Sequence, residues 1–366
     1  MKSRDRSRKG ELVATVLAGA WRSVRVAPLN LSEAELDEVT PLLLGSGAAA
    51  LGWRRIANTD LRNTSSGEVL HQVYRLQALQ AEILERKIGK VFRLLNQSRV
   101  DGILAKGWAA AANYPDPGLR PTGDIDLCVR PEHFKLAQQA LSVPEANDCW
   151  VDLHRRFYEF KGRSIDEIFD RSSLICLGQE QVRTLCPEDH LALLCIHFLK
   201  HGAWRPLWLC DIGVAIESLP PGFDWGICLG RNETRASWIK CAIGLAGRLL
   251  EAKIDNLPMT LDEMEPPAWL VENVLQQWVS PFPFNQPPKS HPLPMVKLLR
   301  HPTGLMDGLR KRWPNAIIAT VSVDGRFNNF PRLPYQLANC IFRMGRLVID
   351  GLKSGRRPNL NRSAER

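Results

Sequence analysis

The stretch from Arg120 to Val129 reads RPTGDIDLCV, and its reading decides the fold. Asp124 and Asp126 stand one residue apart, with Ile125, Leu127 and Val129 in the alternate positions. In a β-strand, residues i and i+2 share a face. The segment therefore reads as a strand that sets two carboxylates side by side and turns its aliphatic residues into a core. Two anions at that spacing repel unless a cation lies between them.

Before this strand, VDGILAKGWAAAANY reads as a short strand at Gly102–Leu104, a turn at Lys106–Gly107 and an Ala-rich helix from Trp108. The connecting YPDPGLRP, with three prolines and a glycine, is a loop. After the strand, PEHFKLAQQAL predicts a helix with Pro131 at its start. CWVDLHRRFYEF then alternates as a strand, placing Trp150, Asp152 and His154 on one face and Val151, Leu153 and Arg155 on the other.

This order assembles a site. A helix N-terminus after a glycine turn offers free N–H groups to phosphate. The paired Asp124 and Asp126 offer oxygens to a hard cation such as Mg²⁺. Asp152, on a further strand, adds a third carboxylate facing the pair. Three carboxylates suit two divalent ions, one acidifying an acceptor hydroxyl and one neutralising leaving phosphates. The residues thus point to Mg²⁺ carrying a nucleoside triphosphate.

The flanks are helical. SEAELDEVTPLLL opens with Ser32 and Glu35 in capping-box spacing. VYRLQALQAEILERKIGKVFRLLNQ repeats Leu76, Leu79, Ile83, Ile88, Val91 and Leu95 at helical spacing. From Pro187 the chain is apolar and helical, with a break near Gly202 and Pro206, and FPFNQPPKSHPLP (282–294) reads as a linker. The expected class is α+β: a small mixed-sheet core (96–185) between a helical N-terminal region (1–95) and a helical domain (186–280). A Pro-rich linker and C-terminal region with a basic tail (281–366) complete the chain.

The chain resembles the nucleotidyltransferases of the DNA polymerase beta superfamily, and within it a bacterial family of uncharacterised nucleotidyltransferases. The resemblance rests on KGWAAAANYPDPGLRPTGDIDLCV (106–129), WVDLHRRF (150–157) and PEDHLALLCIHFLKHGAWRPLWLCDIGVAI (187–216), with RKRWPNAIIATVSVDGRFNNFPRLP (310–334) as a later match. It implies transfer of a nucleoside monophosphate to an acceptor hydroxyl on a small molecule, peptide or protein, with release of pyrophosphate. It implies Asp124 and Asp126 as paired metal ligands and Asp152 as the third acid, which helps activate the acceptor. Gly107 matches the glycine that lets the triphosphate approach the backbone. The superfamily commonly follows that glycine with Ser or Gly, whereas this chain has Trp108. Lys106 and Arg120 are then the candidates for the phosphate contacts, and the indole is expected to narrow the pocket. A rival reading, favoured by Trp108, is a degenerate accessory protein of a peptide or polysaccharide pathway that binds a nucleotide or a partner without turnover.

Other residues carry two readings each. His154 is a general base or substrate contact, or a hydrogen-bonded structural histidine. Lys200 is a phosphate contact or a surface lysine. His197 and His201, four apart on a helix, form half of a zinc pattern without a third ligand, and read better as capping or buried hydrogen-bonding groups. Asp211, in an apolar helix, is expected to pair with His201, Arg205 or a backbone donor. Trp204, Trp208, Trp225 and Trp238 read as core packing.

Composition sets the outer bounds. Of 366 residues, 45% are hydrophobic and 24% charged, as in ordinary globular proteins. The net charge of +9 is concentrated at the ends, where MKSRDRSRKG and GLKSGRRPNLNRSAER each carry five basic residues against one acid. These ends read as solvated tails. The body is near neutral, which disfavours a large nucleic acid partner. The nine cysteines are scattered with no CxxC pair, which suggests small buried hydrophobes in a reducing cytoplasm. LVATVLAGAW, after the basic head, is too short to span a membrane and is entered through Glu11, which argues against a secretory leader.

Overall fold

The computed structural model describes residues 3–23, 28–279 and 313–354. The chain divides into two compact units, Met1–Phe282 and Pro283–Arg366. The expected linker at 282–294 and the closing basic tail from residue 355 onward lie outside the described residues.

The first unit opens with α1 (Ser3–Leu17), α2 (Glu33–Ser46), α3 (Ala49–Ile56) and α4 (Ser65–Gln97). The opening basic segment was expected as a solvated tail, but it belongs to α1, where Arg8 and Lys9 pair with Glu38 of α2. Val13, Val16 and Leu17, from the run that imitates a leader, are core residues. Ser32 and Glu35 form the expected capping box on α2. The N-cap of α4 is Thr64, whose hydroxyl accepts from the Gly67 N–H.

The sheet and its helices follow: β1 (Gly102–Leu104), α5 (Gly107–Ala111), β2 (Ile125–Val129), α6 (Phe134–Ala140), β3 (Val151–His154), α7 (Ile165–Arg171), β4 (Ser173–Leu177) and β5 (Glu180–Thr184). The strand order is β3-β2-β1-β5-β4. β1 runs antiparallel to β2 and parallel to β5, and β2 runs parallel to β3. This is the expected mixed α+β core. The β4–β5 hairpin was not anticipated; its turn passes through Gly178 at φ 61°, a conformation that favours glycine.

Ile125, Leu127 and Val129 pack with Leu84, Ile88, Val91, Phe92 and Leu95 of α4 in one core. The apolar stripe of α4 is not buried throughout. Leu76 and Leu79 remain 60% and 62% exposed, because only the C-terminal half of α4 lies over the sheet. The alternation read across 149–160 also stops early. β3 ends at His154, and a 3₁₀ turn at Tyr158–Phe160 follows, burying Phe157, Glu159 and Phe160.

The unit closes with α8 (Pro187–Lys200), α9 (Pro206–Glu217), α10 (Trp225–Leu229), α11 (Glu233–Leu250), α12 (Leu261–Met264) and α13 (Ala268–Trp278). The break between α8 and α9 falls where Gly202 and Pro206 predict it, with Gly202 at φ 77°. Of the four tryptophans read as core, Trp238 is buried, while Trp204, Trp208 and Trp225 are half-buried. The second unit holds α14 (Ala316–Ser322) and α15 (Leu333–Ser354). All nine cysteines are free and seven are buried. No helix among the described residues is long and apolar enough to cross a membrane.

Candidate active site

The parallel register of β2 and β3 places Asp126 opposite Asp152 and Cys128 opposite His154. Asp126 and Asp152 therefore meet across neighbouring strands, on the face away from α4. His154 Nε2 lies 3.3 Å from Asp126 Oδ1 and 3.1 Å from Asp152 Oδ2. Lys106 Nζ lies 2.9 Å from the same Asp126 Oδ1. In this structure the positive charge beside Asp126 is an ammonium, with an imidazole close by.

Asp126 is 8% exposed, whereas the Asp152 side chain is 58% exposed. Burial pushes the Asp126 carboxyl up, but the His154 hydrogen bond and the Lys106 charge outweigh it and hold it below the usual carboxylate range. Asp124 stands just ahead of β2. Burial, reinforced by the Asp126 anion and by Asp152, raises it above its usual range despite an opposing pull from Lys106. The repulsion expected between the two acids is thus felt by Asp124.

Among the described residues, Asp126, Asp152 and His154 form a group whose ligand atoms lie within 4.8 Å of one another. The sequence suggested Asp124, Asp126 and Asp152; the geometry puts His154 closer to the centre than Asp124. Two facing carboxylates beside a ring nitrogen fit a divalent cation, and the hardness of their oxygens suits Mg²⁺. Cys128 lies on the same face, and burial pushes its thiol up to about 12.

Lys106 is held at φ 52° and ψ −129°, a backbone conformation that side-chain-bearing residues seldom adopt. The left-handed turn thus falls on Lys106 and not on Gly107. Gly107 is required for another reason: a Cβ there would come 2.6 Å from Thr122 Cγ2. Its bare backbone lets the turn close against the loop that leads into Asp124.

Trp108 does not narrow this site. Its indole is buried in the core shared with α4, and Nε1 donates to Glu85 at 3.2 Å. Arg120 is not at the mouth either. Its guanidinium is 6% exposed and donates to both Asp211 oxygens, to the Pro121 carbonyl and to Thr122 Oγ1. A phosphate clamp needs an accessible head, and this one is committed to the scaffold. Asp211 was expected to pair with His201, Arg205 or a backbone donor; it takes Arg120 and the Tyr114 hydroxyl instead. The half-zinc pattern also resolves otherwise, because His197 Nδ1 lies 3.1 Å from Glu159 Oε1 and its ring packs on His201 and Trp208.

Glu159 escaped the sequence reading, and Arg205 entered it only as a candidate partner of Asp211. Glu159 is buried, and Lys200 Nζ approaches its Oε1 to 3.4 Å. Burial opposes its ionisation, but the His197 hydrogen bond and the Lys200 charge hold it far below the carboxylate range. Arg205 stands at the N-cap position of α9 and donates through Nε to the Ser46 carbonyl at 2.7 Å. Burial, together with Arg120, brings it down to about 10, while Asp211 and Asp124 pull the other way. An acid two residues after Phe157, just past the end of β3, gives no periodic signal, and the Arg205 environment depends on α2, far back in the chain.

The profile of a family described as an uncharacterised nucleotidyltransferase matches residues 32–145 and 143–246. No curated protein and no solved structure matches the chain. The matched span covers more than half of the sequence and contains the turn at Lys106, the facing acids and the α8–α9 region, and the chain belongs to this nucleotidyltransferase family.

Proposed function

We propose that the chain moves a nucleoside monophosphate from a nucleoside triphosphate to an acceptor hydroxyl, in a reaction that depends on Mg²⁺. The observation that carries this reading is the register that faces Asp126 with Asp152 beside the Lys106–Gly107 turn. Asp126 and Asp152 would hold the ion, with Asp124 nearby. Mg²⁺ bound there supplies charge neutralisation for the phosphates and acidification of the acceptor hydroxyl.

The exposures divide the labour. Asp126, buried and fixed by two donors, anchors. Asp152, open to solvent and next to His154, faces the acceptor. The acceptor oxygen bonds to the α-phosphorus as the bond to the bridging α–β oxygen breaks, and pyrophosphate leaves. The hydroxyl proton passes to Asp152, which His154 orients. Lys106 and Lys200 are the cations on the phosphate side, and Lys200 is held in place by Glu159. The degenerate reading loses its argument, since Trp108 packs against α4 and leaves the site open.

The test is transfer of α-labelled nucleotide, screening the four triphosphates against small alcohols, aminoglycosides and cell extract. Asp126→Asn is expected to cut labelling by at least about a hundredfold with the circular dichroism spectrum unchanged. Activity that survives both Asp124→Ala and Asp126→Asn would sink the assignment.

A further inference from the structure

Lys106 Nζ and His154 Nε2 converge on one atom, Asp126 Oδ1, at 2.9 and 3.3 Å. The same carboxylate offers an oxygen to the group formed with Asp152 and His154. An ammonium at hydrogen-bond distance and a divalent ion at coordination distance on one carboxylate would stand within a few ångströms of each other. Two cations so placed repel strongly in a half-buried site. Joint occupancy of the Asp126 carboxylate by ammonium and ion is therefore disfavoured.

The lysine is built to let go without its backbone moving. Its carbonyl accepts from Ala110 N at 2.8 Å, and the preceding Ala105 N–H donates to the Asp126 carbonyl at 3.0 Å. The Cα is pinned, so release of the ammonium comes from rotation of the four-carbon stem, in a side chain that is 15% exposed. The ammonium already lies 4.8 Å from the centroid of the Phe157 ring, which offers a second resting surface. Beyond that ring lies Glu159, whose charge feels Lys106 and is countered by His197 and Lys200.

We propose that Lys106 is a tethered stand-in cation, which holds Asp126 until a divalent ion takes the carboxylate and then turns its released ammonium to the phosphates of the nucleotide. The inference rests on the nucleotidyl-transfer reading of this site. It makes ion binding and phosphate binding cooperative, because the ion frees the group that the phosphates need.

The experiment uses the full chain and two substitutions. Lys106→Met removes the ammonium and keeps the stem. Lys106→Gly removes it and suits the positive φ, so a folding defect in the first does not hide the answer. Free Mn²⁺ is titrated by electron paramagnetic resonance without nucleotide. Inorganic triphosphate binding is measured separately by equilibrium dialysis in saturating Mg²⁺. Both variants are expected to bind Mn²⁺ on the order of tenfold more tightly and triphosphate on the order of tenfold more weakly. Mn²⁺ affinity that is unchanged or weaker in both variants, while Asp126→Asn abolishes the Mn²⁺ site, overturns the role of Lys106 and leaves the proposed function standing. Equal Mn²⁺ binding by wild type and Asp126→Asn overturns the function reading itself.

Discussion

His190 shows at the scale of one residue how the site's scaffold is held. It sits in α8, buried, and its Nε2 meets no hydrogen-bond partner among the described residues. Burial lowers its pKa from 6.5 to about 4, with Asp211 pulling up and Arg120 pushing down. Below pH 6.5 the unfolded chain takes a proton that the folded chain refuses. Stability is therefore lost as pH falls from 6.5 towards 4, by about 3 kcal/mol over the interval. Urea unfolding of wild type and His190→Leu at pH 7 and pH 4 should show the wild type losing that much more. A parallel loss in the variant would refute it. At this scale the sequence was informative where period decides, as in the shared face that brings Asp152 and His154 beside Asp126. It misled where a partner lay far along the chain. Arg120 looked like a clamp because nothing local reveals that Asp211, 91 residues on, claims it.

At the scale of elements, the acid face and the apolar face of β2 come from one alternating pattern, and α4 covers the apolar side. Trp108 belongs to that cover. Trp108→Ala should cost about 3–5 kcal/mol and leave nucleotide affinity in the surviving folded protein close to wild type. Thermal unfolding with and without nucleotide checks it, and an affinity gain would mean that the indole does face the ligand. The breaks around Gly202 and Pro206 and the capping box at Ser32 were legible because each rests on a few adjacent residues. The β4–β5 hairpin was missed although Gly178 separates two short runs with Ile175, Val182 and Thr184. Its faces are only half-buried, so no hydrophobic alternation announces it. The stripe on α4 was legible as a helix but not as a burial map, since the period says nothing of where a partner layer ends.

At the scale of the whole molecule, the unit Met1–Phe282 contains every residue assigned to the site. Its first and last helices close on each other: a Cβ on Gly10 of α1 would come 2.5 Å from the Leu275 carbonyl of α13. A chain ending at Phe282 is expected to unfold cooperatively and to keep its Mn²⁺ affinity within about twofold. Loss of cooperativity in calorimetry would show that the second unit is needed. The pair between Arg120 and Asp211, buried at both ends, also has a consequence in time. A ribosome adding roughly 5–20 residues per second delivers Asp211 about 5–20 s after Arg120. Through that interval the nascent loop before Asp124 lacks its anchor, and β5, the parallel neighbour of β1, has only just been made. The acids of β2 and β3 are translated early but set in place late, so the newborn protein is expected to complete its candidate site only once α9 has left the exit tunnel.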